Sequence, residues 1–203
     1  MKKIVLLICF LSTVTAIAQD AYTKKITAFQ EKLIHEYATK DSSPLTKKDL
    51  SDFKALPFFK IDKKYKILAS LQLTPEAPMF PLTTSTKRKP LYRQYAIARF
   101  IIDGAGYQLS IYRSQDSKMN PEYQDYLFLP FKDLTNGESS YGAGRYIDVF
   151  ISDIVNNQII IDFNKAYNPY CAYNYKYSCP IPPAENHLDI AIEAGVKNGI
   201  LKK

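Results

Sequence analysis

The stretch that decides the fold is residues 92–113, YRQYAIARFIIDGAGYQLSIYR, in which two runs of β-branched and aromatic residues flank the turn residues 103–106. Asp and Gly tolerate the positive φ angles of tight turns, so residues 92–102 and 107–113 are predicted to form sequential antiparallel strands. Four more runs of this kind cover residues 65–73, 125–131, 145–152 and 158–164. Because no segment of helix length separates the six predicted strands, parallel βαβ architectures are excluded. The sequence therefore predicts a mainly β fold, an antiparallel β-sandwich or a partly open β-barrel.

A helical segment is predicted before the strands. Between Asp20 and Thr39, apolar residues recur every three or four positions, which is typical of one amphipathic α-helix. Its apolar stripe consists of Tyr22, Ile26, Phe29, Leu33 and Tyr37. The residues that follow Thr46 resemble a capping box and predict a short second helix that runs to Leu56 and is stopped by Pro57. We expect residues 19–57 to pack, as one or two N-terminal α-helices, on a single β-rich domain formed by residues 58–203.

The first eighteen residues have the pattern of a cleaved signal peptide. Lys2 and Lys3 precede an apolar run from Ile4 to Leu11, and small residues end at Ala18. This run is shorter than the roughly 20 apolar residues that span a bilayer, so no transmembrane segment is predicted. We expect cleavage after residue 18 and a periplasmic or secreted protein.

Composition excludes several classes of protein. The 203 residues are 46% apolar and include seven Gly and twelve Pro, so the chain is neither collagen-like nor disordered. The net charge is +7, but the longest basic run is only Lys87-Arg88-Lys89, which argues against a nucleic-acid partner. The glycines of Tyr141-Gly142-Ala143-Gly144 precede a predicted strand instead of a helix, so they do not indicate a phosphate-binding loop. No cofactor is predicted.

Nine of the sixteen tyrosines lie between Pro121 and Pro180, beside motifs that resemble a known family. These motifs are YGAGRYID at residues 141–148, IDFNKAYNPYCAY at 161–173 and CPIPPAEN at 179–186, with SPL at 43–45, FF at 58–59 and FLPF at 128–131 upstream. Together they resemble the bacterial domain-of-unknown-function family 1684 over most of the mature chain. The resemblance implies a module with no assigned activity. His187 and Val196 depart from the Arg and Glu that are usual in similar proteins, which weakens any role for those two positions.

Cys171 and Cys179 are the cysteines that remain after removal of Cys9 with the signal peptide. In an oxidising compartment they are predicted to form a disulfide within a loop at residues 165–187. Closing so short a loop would remove roughly 2.5 kcal/mol of unfolded-state entropy. A zinc site would need two further ligands, and the chain has only two histidines, so no metal site is predicted and zinc is a less favoured alternative. A Cys-His nucleophile is weaker still, because His187 lies beyond two prolines.

The last two predicted strands carry a polar cluster. If Asn156-Asn157 is a two-residue turn, these strands pair with each other, and Arg145 shares one face with Asp162 and Asn164, across from Asn168. Arg145 is then either an internal tie, its five donors satisfied by these side chains and by loop carbonyls, or the cation of a cleft. In the second interpretation aromatic rings stack on a bound group. The predicted ligand-binding residues are Arg145, Asp148, Asp162, Asn164, Asn168, Tyr170, Tyr173, Glu185 and Asn186.

Three functions are compatible with these observations. The first is a binding module for a small polar ligand, a glycan or a protein segment, in which the tyrosines of the cysteine loop contact the partner. The second is a hydrolase or lyase that uses Asp148, Asp162 or Glu185 as acid or base and Arg145 to stabilise charge. The third is a structural envelope protein. We expect the binding module, and whether the protein is an enzyme stays open.

Overall fold

The computed structural model describes residues 21–199 and shows a seven-stranded antiparallel sheet curled into a half-barrel. The strands are β1 (Lys66–Leu73), β2 (Met79–Pro81), β3 (Leu91–Ile102), β4 (Ala105–Ser114), β5 (Tyr126–Phe131), β6 (Arg145–Phe150) and β7 (Gln158–Asp162). Their order in the sheet is β6-β5-β4-β3-β1-β7, and β2 also pairs with β3. The predicted mainly β class is confirmed, and of the two predicted architectures the half-barrel corresponds to the partly open β-barrel. The predicted signal peptide, residues 1–18, lies outside the described residues.

The hairpin of β3 and β4 forms as its sequence predicts. Ile102 pairs with Ala105 across a two-residue turn, in which Asp103 and Gly104 have φ angles of 49° and 81°. Two-residue hairpin turns require positive φ angles, and Gly and Asp adopt such angles more readily than most residues do. β3 and β4 are the longest strands of the described structure and form the middle of the sheet.

The predicted pairing of the last two strands is wrong. Asn156 and Asn157 do form the expected turn, with φ angles of 52° and 56°, and Val155 pairs with Gln158 across it. Beyond that single bridge the chain diverges, because a 3₁₀ turn at Ile151–Asp153 bends it away. β6 then pairs with β5, whereas β7 pairs with β1 at the other end of the sheet order.

Two helices precede the sheet, as predicted. Helix α1 covers residues 21–38, and its stripe residues Ile26 and Tyr37 are fully buried. Helix α2 (Lys47–Asp52) begins at Thr46, whose hydroxyl donates to the Asp49 carboxylate and accepts from the Asp49 backbone N–H. It ends at Asp52 and does not extend to the predicted Leu56.

Two short elements were absent from the sequence prediction. Strand β2 has three residues, too few to show a two-residue alternation of apolar side chains. Helix α3 (Gln115–Met119) connects β4 to β5, with Ser114 as its N-cap. No helix among residues 21–199 is long and apolar enough to cross a membrane.

The two faces of the sheet carry different side chains. One face builds an aliphatic core that includes Leu109, Leu129 and Ile161, and the segment carrying Ile192 and Ala194 packs on it. The opposite face at the β4-β5-β6 end carries a second, aromatic cluster. That cluster contains Leu82, Tyr112, Phe128, Tyr146, Cys171 and Cys179. Alternation along each strand produces this separation, since neighbouring residues point to opposite faces.

Candidate functional site

An open cavity of about 550 Å³ lies on the aromatic face, between helix α1 and strands β5 and β6. Helix α1 contributes Phe29, Lys32, Leu33 and Glu36. Seven tyrosines line the cavity: Tyr92, Tyr123, Tyr126, Tyr146, Tyr167, Tyr170 and Tyr177. We call it the tyrosine cavity. Its volume lies in the range of roughly 300–1,000 Å³ that is usual for small-molecule sites.

The register of β5 and β6 decides which side chains reach this cavity. Phe128 pairs directly with Asp148, and Pro130 pairs with Tyr146. Because alternate residues share a face, Tyr126 and Phe128 of β5 point to the same side as Tyr146 and Asp148 of β6. The residues between them, such as Leu127 and Ile147, enter the aliphatic core.

Asp148 is an acidic residue of the cavity wall and belongs to β6. Its Oδ1 accepts hydrogen bonds from the Tyr126 hydroxyl at 2.9 Å and from the Tyr167 hydroxyl at 2.6 Å. Burial, and then the negative charge of Asp148, raise the pKa of Tyr126 well above its usual value. Both tyrosines therefore stay protonated at neutral pH and continue to donate.

The carboxylate of Asp148 has unused capacity. Its side chain is exposed to solvent, and within residues 21–199 its Oδ2 accepts no hydrogen bond. No Lys, Arg or His of the described chain forms an ion pair with it. A carboxylate offers about four acceptor positions, so Asp148 has room for a donor from a ligand.

Three rings beside Asp148 meet nearly at right angles. The centroids of Phe128 and Tyr146 are 4.7 Å apart with an interplanar angle of 78°, and those of Tyr146 and Tyr167 are 6.0 Å apart at 87°. Such edge-to-face contacts are favourable for aromatic pairs. Phe128 and Tyr146 are 4% and 6% exposed, and all three rings line the tyrosine cavity. We call this group the box of rings.

Arg145 does not line the tyrosine cavity. Its side chain is completely buried, and Nη2 donates to Asp133 Oδ2 at 2.7 Å and to the Ile192 carbonyl at 2.8 Å. Nη1 donates to the Ala194 carbonyl, and the guanidinium lies 5.2 Å from the centroid of the Phe131 ring. Arg145 is thus an internal tie between β6 and the segment that covers the core. Its partners differ from the predicted Asp162 and Asn164, because β6 does not pair with β7.

Asp162 and Asn164 belong to a second buried network. The hydroxyl of Tyr22 donates to Asp162 Oδ1 at 3.0 Å, and Asn164 Nδ2 donates to the Tyr22 oxygen at 2.9 Å. Asn164 also accepts the Asp62 N–H at 3.0 Å. These contacts attach the start of the described part of α1 to the end of β7.

A smaller cavity is lined by residues of this network and shares Asp148 with the tyrosine cavity. It has a volume of about 210 Å³, and both Asp148 and Asp162 line it. Lys25, Lys66 and Lys165 are also in its wall. The two carboxylates, which the predicted hairpin would have placed on opposite faces, therefore border one space between β6 and β7.

Comparison with known proteins identifies the family but not an activity. The family model described as "Protein of unknown function (DUF1684)" matches residues 51–197. The chain belongs to this family. No curated protein matches it. The solution NMR structure of an uncharacterized protein of Haloarcula marismortui is similar, with a TM-score of 0.69 and 30% sequence identity, over 89% of this chain and 96% of that chain.

The matched DUF1684 segment contains most of the cavity wall. The tyrosines and Asp148 all lie inside residues 51–197, whereas the wall residues of α1 precede them. The family segment therefore provides the sheet and loop side of the cavity, and α1 provides the other side.

Glu185 and Asn186 of the DUF1684 segment are held by the sheet. Asn186 is fully buried; its Oδ1 accepts the Ser110 N–H at 2.8 Å, and its Nδ2 donates to the carbonyls of Ser110 and Pro130. Pro130 has no N–H for the ladder between β4 and β5, so the Asn186 amide satisfies backbone groups at this gap. Glu185 accepts the Tyr112 hydroxyl at 2.8 Å.

Of the nine predicted ligand-binding residues, the structure brings Asp148 and Tyr170 into the tyrosine cavity. Asn168 is buried and donates to the Tyr173 hydroxyl at 3.0 Å, and the Tyr173 ring packs on Tyr37 of α1. The predicted ligand-binding residues did not include Tyr126 or Tyr146, whereas Tyr167 belongs to the cysteine loop whose tyrosines were predicted to contact a partner. Alternation along β6 groups Tyr146 with Asp148, but only the pairing of β6 with β5 brings Tyr126 to the same face.

Cys171 and Cys179 are buried neighbours, and Cys179 lies in the wall of the cavity. Both are thiols in this structure, and the Cys171 N–H donates to Sγ of Cys179 at 3.1 Å. A hydrogen bond from the Cys179 thiol lowers the pKa of Cys171, against the opposing effect of burial. The disulfide between them stays a prediction. Within residues 21–199 no group of three or more His, Cys, Asp or Glu is placed to hold a metal ion.

Proposed function

We propose that this DUF1684 protein is an exported binding module that holds a small organic ligand in the tyrosine cavity. The observation that supports this proposal is the cavity itself, where seven tyrosines surround one carboxylate with unused acceptor capacity. Apolar and aromatic walls with a few convergent polar groups are typical of ligand sites. Export is supported by the signal-peptide pattern of residues 1–18.

The alternative of a hydrolase or lyase has less support. It uses Arg145 to stabilise charge, and Arg145 is fully buried with Nη1 and Nη2 engaged by Asp133 and by backbone carbonyls. Asp162 and Glu185 each accept a tyrosine hydroxyl outside the tyrosine cavity. Asp148 thus faces the ligand space without Arg145.

The proposal is tested by a ligand screen that reports position. Isotope-labelled protein is titrated with a library of small metabolites and monosaccharides, and amide chemical shifts are followed by NMR. We expect hits to shift amides of cavity residues, and the variant Tyr170→Ala to weaken them about tenfold by removing part of the wall. Tyr175→Ala is the matched control, because Tyr175 lies in the same loop, is 80% exposed and does not line the cavity.

Two results would contradict the proposal. One is a library in which no compound binds at millimolar concentration. The other is a set of hits whose shifts map away from the cavity and respond equally to both variants.

A further inference from the structure

We infer that the tyrosine cavity is specific for organic cations that carry an alkylated ammonium group, seated against Asp148 and the rings around it. This inference rests on the proposed function and names the ligand class of the same site. Three independent observations carry it: the charge of the site, the arrangement of its rings and the engagement of its hydroxyl groups.

The first observation is the uncompensated carboxylate. Asp148 Oδ1 is fixed by Tyr126 and Tyr167, and its Oδ2 is unused within the described chain. No ion pair from residues 21–199 neutralises it. Glu36 adds a second acid to the wall, and Lys32, its ion-pair partner at 3.8 Å, is the basic residue there. Lys25, Lys66 and Lys165 share the smaller cavity with Asp148, but none of them lines the tyrosine cavity. The two carboxylates of the tyrosine cavity therefore favour a positive ligand.

The second observation is the box of rings. Phe128, Tyr146 and Tyr167 meet at 78° and 87° in the wall that includes Asp148. The face of an aromatic ring is the negative end of its quadrupole and attracts a cation within about 6 Å. A group of aromatic rings that lines one site is the arrangement by which proteins recognise quaternary ammonium groups.

The third observation is that hydroxyl donors near Asp148 are already engaged. Tyr126 and Tyr167 donate to Asp148, and Tyr146 donates to the Pro180 carbonyl. A ligand at this end of the cavity therefore meets ring carbons and carboxylate oxygen, with few groups that donate to it. A sugar needs donors as well as acceptors, whereas an alkylated ammonium group needs ring faces and a counter-charge.

The size of the cavity indicates how much of the ligand lies inside it. A volume of about 550 Å³ exceeds that of a trimethylammonium group, so the cationic head would occupy the Asp148 end. The rest of the ligand would extend past Tyr170, which is 41% exposed at the rim and contacts Tyr177 edge-on.

The test compares two probes of nearly equal shape. Choline carries a trimethylammonium group, and 3,3-dimethylbutan-1-ol replaces its nitrogen by carbon and is neutral. We expect the protein to bind choline at least about tenfold more tightly than the neutral alcohol, measured by isothermal titration calorimetry or NMR titration. Asp148→Asn should remove most of this preference and leave the affinity for the alcohol unchanged.

Asp103→Asn is the matched control for charge. It deletes the same charge at an exposed turn between β3 and β4, outside the cavity, and should leave choline binding unchanged. An equal loss in both variants would show that choline responds to the overall charge of the protein and would overturn the inference.

The remaining outcomes separate this inference from the proposed function. If both probes bind equally and Asp148→Asn changes neither, the cavity binds ligands without selecting cations, and only the inference fails. The same holds if neither probe binds while other library compounds bind in the cavity. If no compound of any class binds there, the proposed function fails with it.

Discussion

The two ends of strand β6 carry charged residues in opposite environments. At one end, Arg145 and Asp133 form an ion pair at 2.7 Å with both side chains completely buried. At the other end, Asp148 faces an open cavity, held by two tyrosine hydroxyls and paired with no cation of the described chain. We refer to them as the sealed end and the open end of β6.

The difference shows how a structural charge is distinguished from one available to a ligand. At the sealed end, Arg145 also donates to two backbone carbonyls and lies beside the Phe131 ring, so no ligand has access to it. Buried charges are tolerated when partners of this kind satisfy them. At the open end, the partners of Asp148 are neutral and leave one oxygen unused. The nearest basic groups described for this carboxylate are Lys25, Lys66 and Lys165 in the wall of the smaller cavity, and none of them forms an ion pair with it.

The largest expected effect is at the sealed end. Arg145→Met removes the donors that satisfy Asp133 and leaves a buried carboxylate without its cation. We expect the free energy of unfolding to fall by about 3–5 kcal/mol, measured by urea denaturation.

Arg99→Met is the control for this substitution. Arg99 lies on the exposed side of β3, where its Nη1 donates to Gln72, and its replacement should change stability by no more than about 0.5 kcal/mol. A loss below about 1 kcal/mol for Arg145→Met would mean that the ion pair is not needed to hold the core segment.

The sealed and open ends also differ in how far the sequence predicts them. Strand alternation correctly separates Arg145, Ile147 and Val149 from Tyr146 and Asp148, because it depends on local geometry alone. The partners of Arg145 were not predictable in this way. Asp133 and the Ile192 carbonyl lie in segments without periodicity, and they approach Arg145 only after the sheet has curled.

The residues of the open end were predicted only in part, because their grouping also depends on which strands pair. The density of tyrosines around residues 121–180 indicated an unusual surface, and it contributed Tyr170. A turn such as Asn156-Asn157 shows where the chain reverses, but it does not show which strand pairs with β6. The pairing of β6 with β5 places Tyr126 on the same face of the sheet as Tyr146 and Asp148, and it is favoured by burial of the aliphatic residues on the other face.

An intermediate effect is expected in the loop that forms part of the wall at the open end. If Cys171 and Cys179 form the predicted disulfide, protein purified without reductant has a denatured mass lower by two hydrogens. Reduction should then lower the free energy of unfolding by roughly 2.5 kcal/mol, because the short loop is no longer closed in the unfolded chain.

The double variant Cys171→Ser/Cys179→Ser provides the comparison for this experiment. Its unfolding should be the same with and without reductant, at the stability of the reduced protein. Quantitative alkylation of both thiols in protein purified without reductant would show that the loop is not cross-linked, and the open end would then be held by packing and hydrogen bonds alone.

The smallest expected effect is that of Asp148→Asn at the open end, for which the same substitution at the sealed end, Asp133→Asn, is the comparison. Asp148→Asn keeps an oxygen that accepts from Tyr126 and Tyr167 and removes a charge that no residue of the described chain neutralises, so stability should change by less than about 1 kcal/mol. Asp133→Asn removes the counter-charge of a completely buried arginine and should cost at least about 3 kcal/mol. Both values are measured by urea denaturation under one set of conditions. Equal losses would mean that Asp148 is as structural as Asp133, and the open end would then have no charge reserved for a ligand.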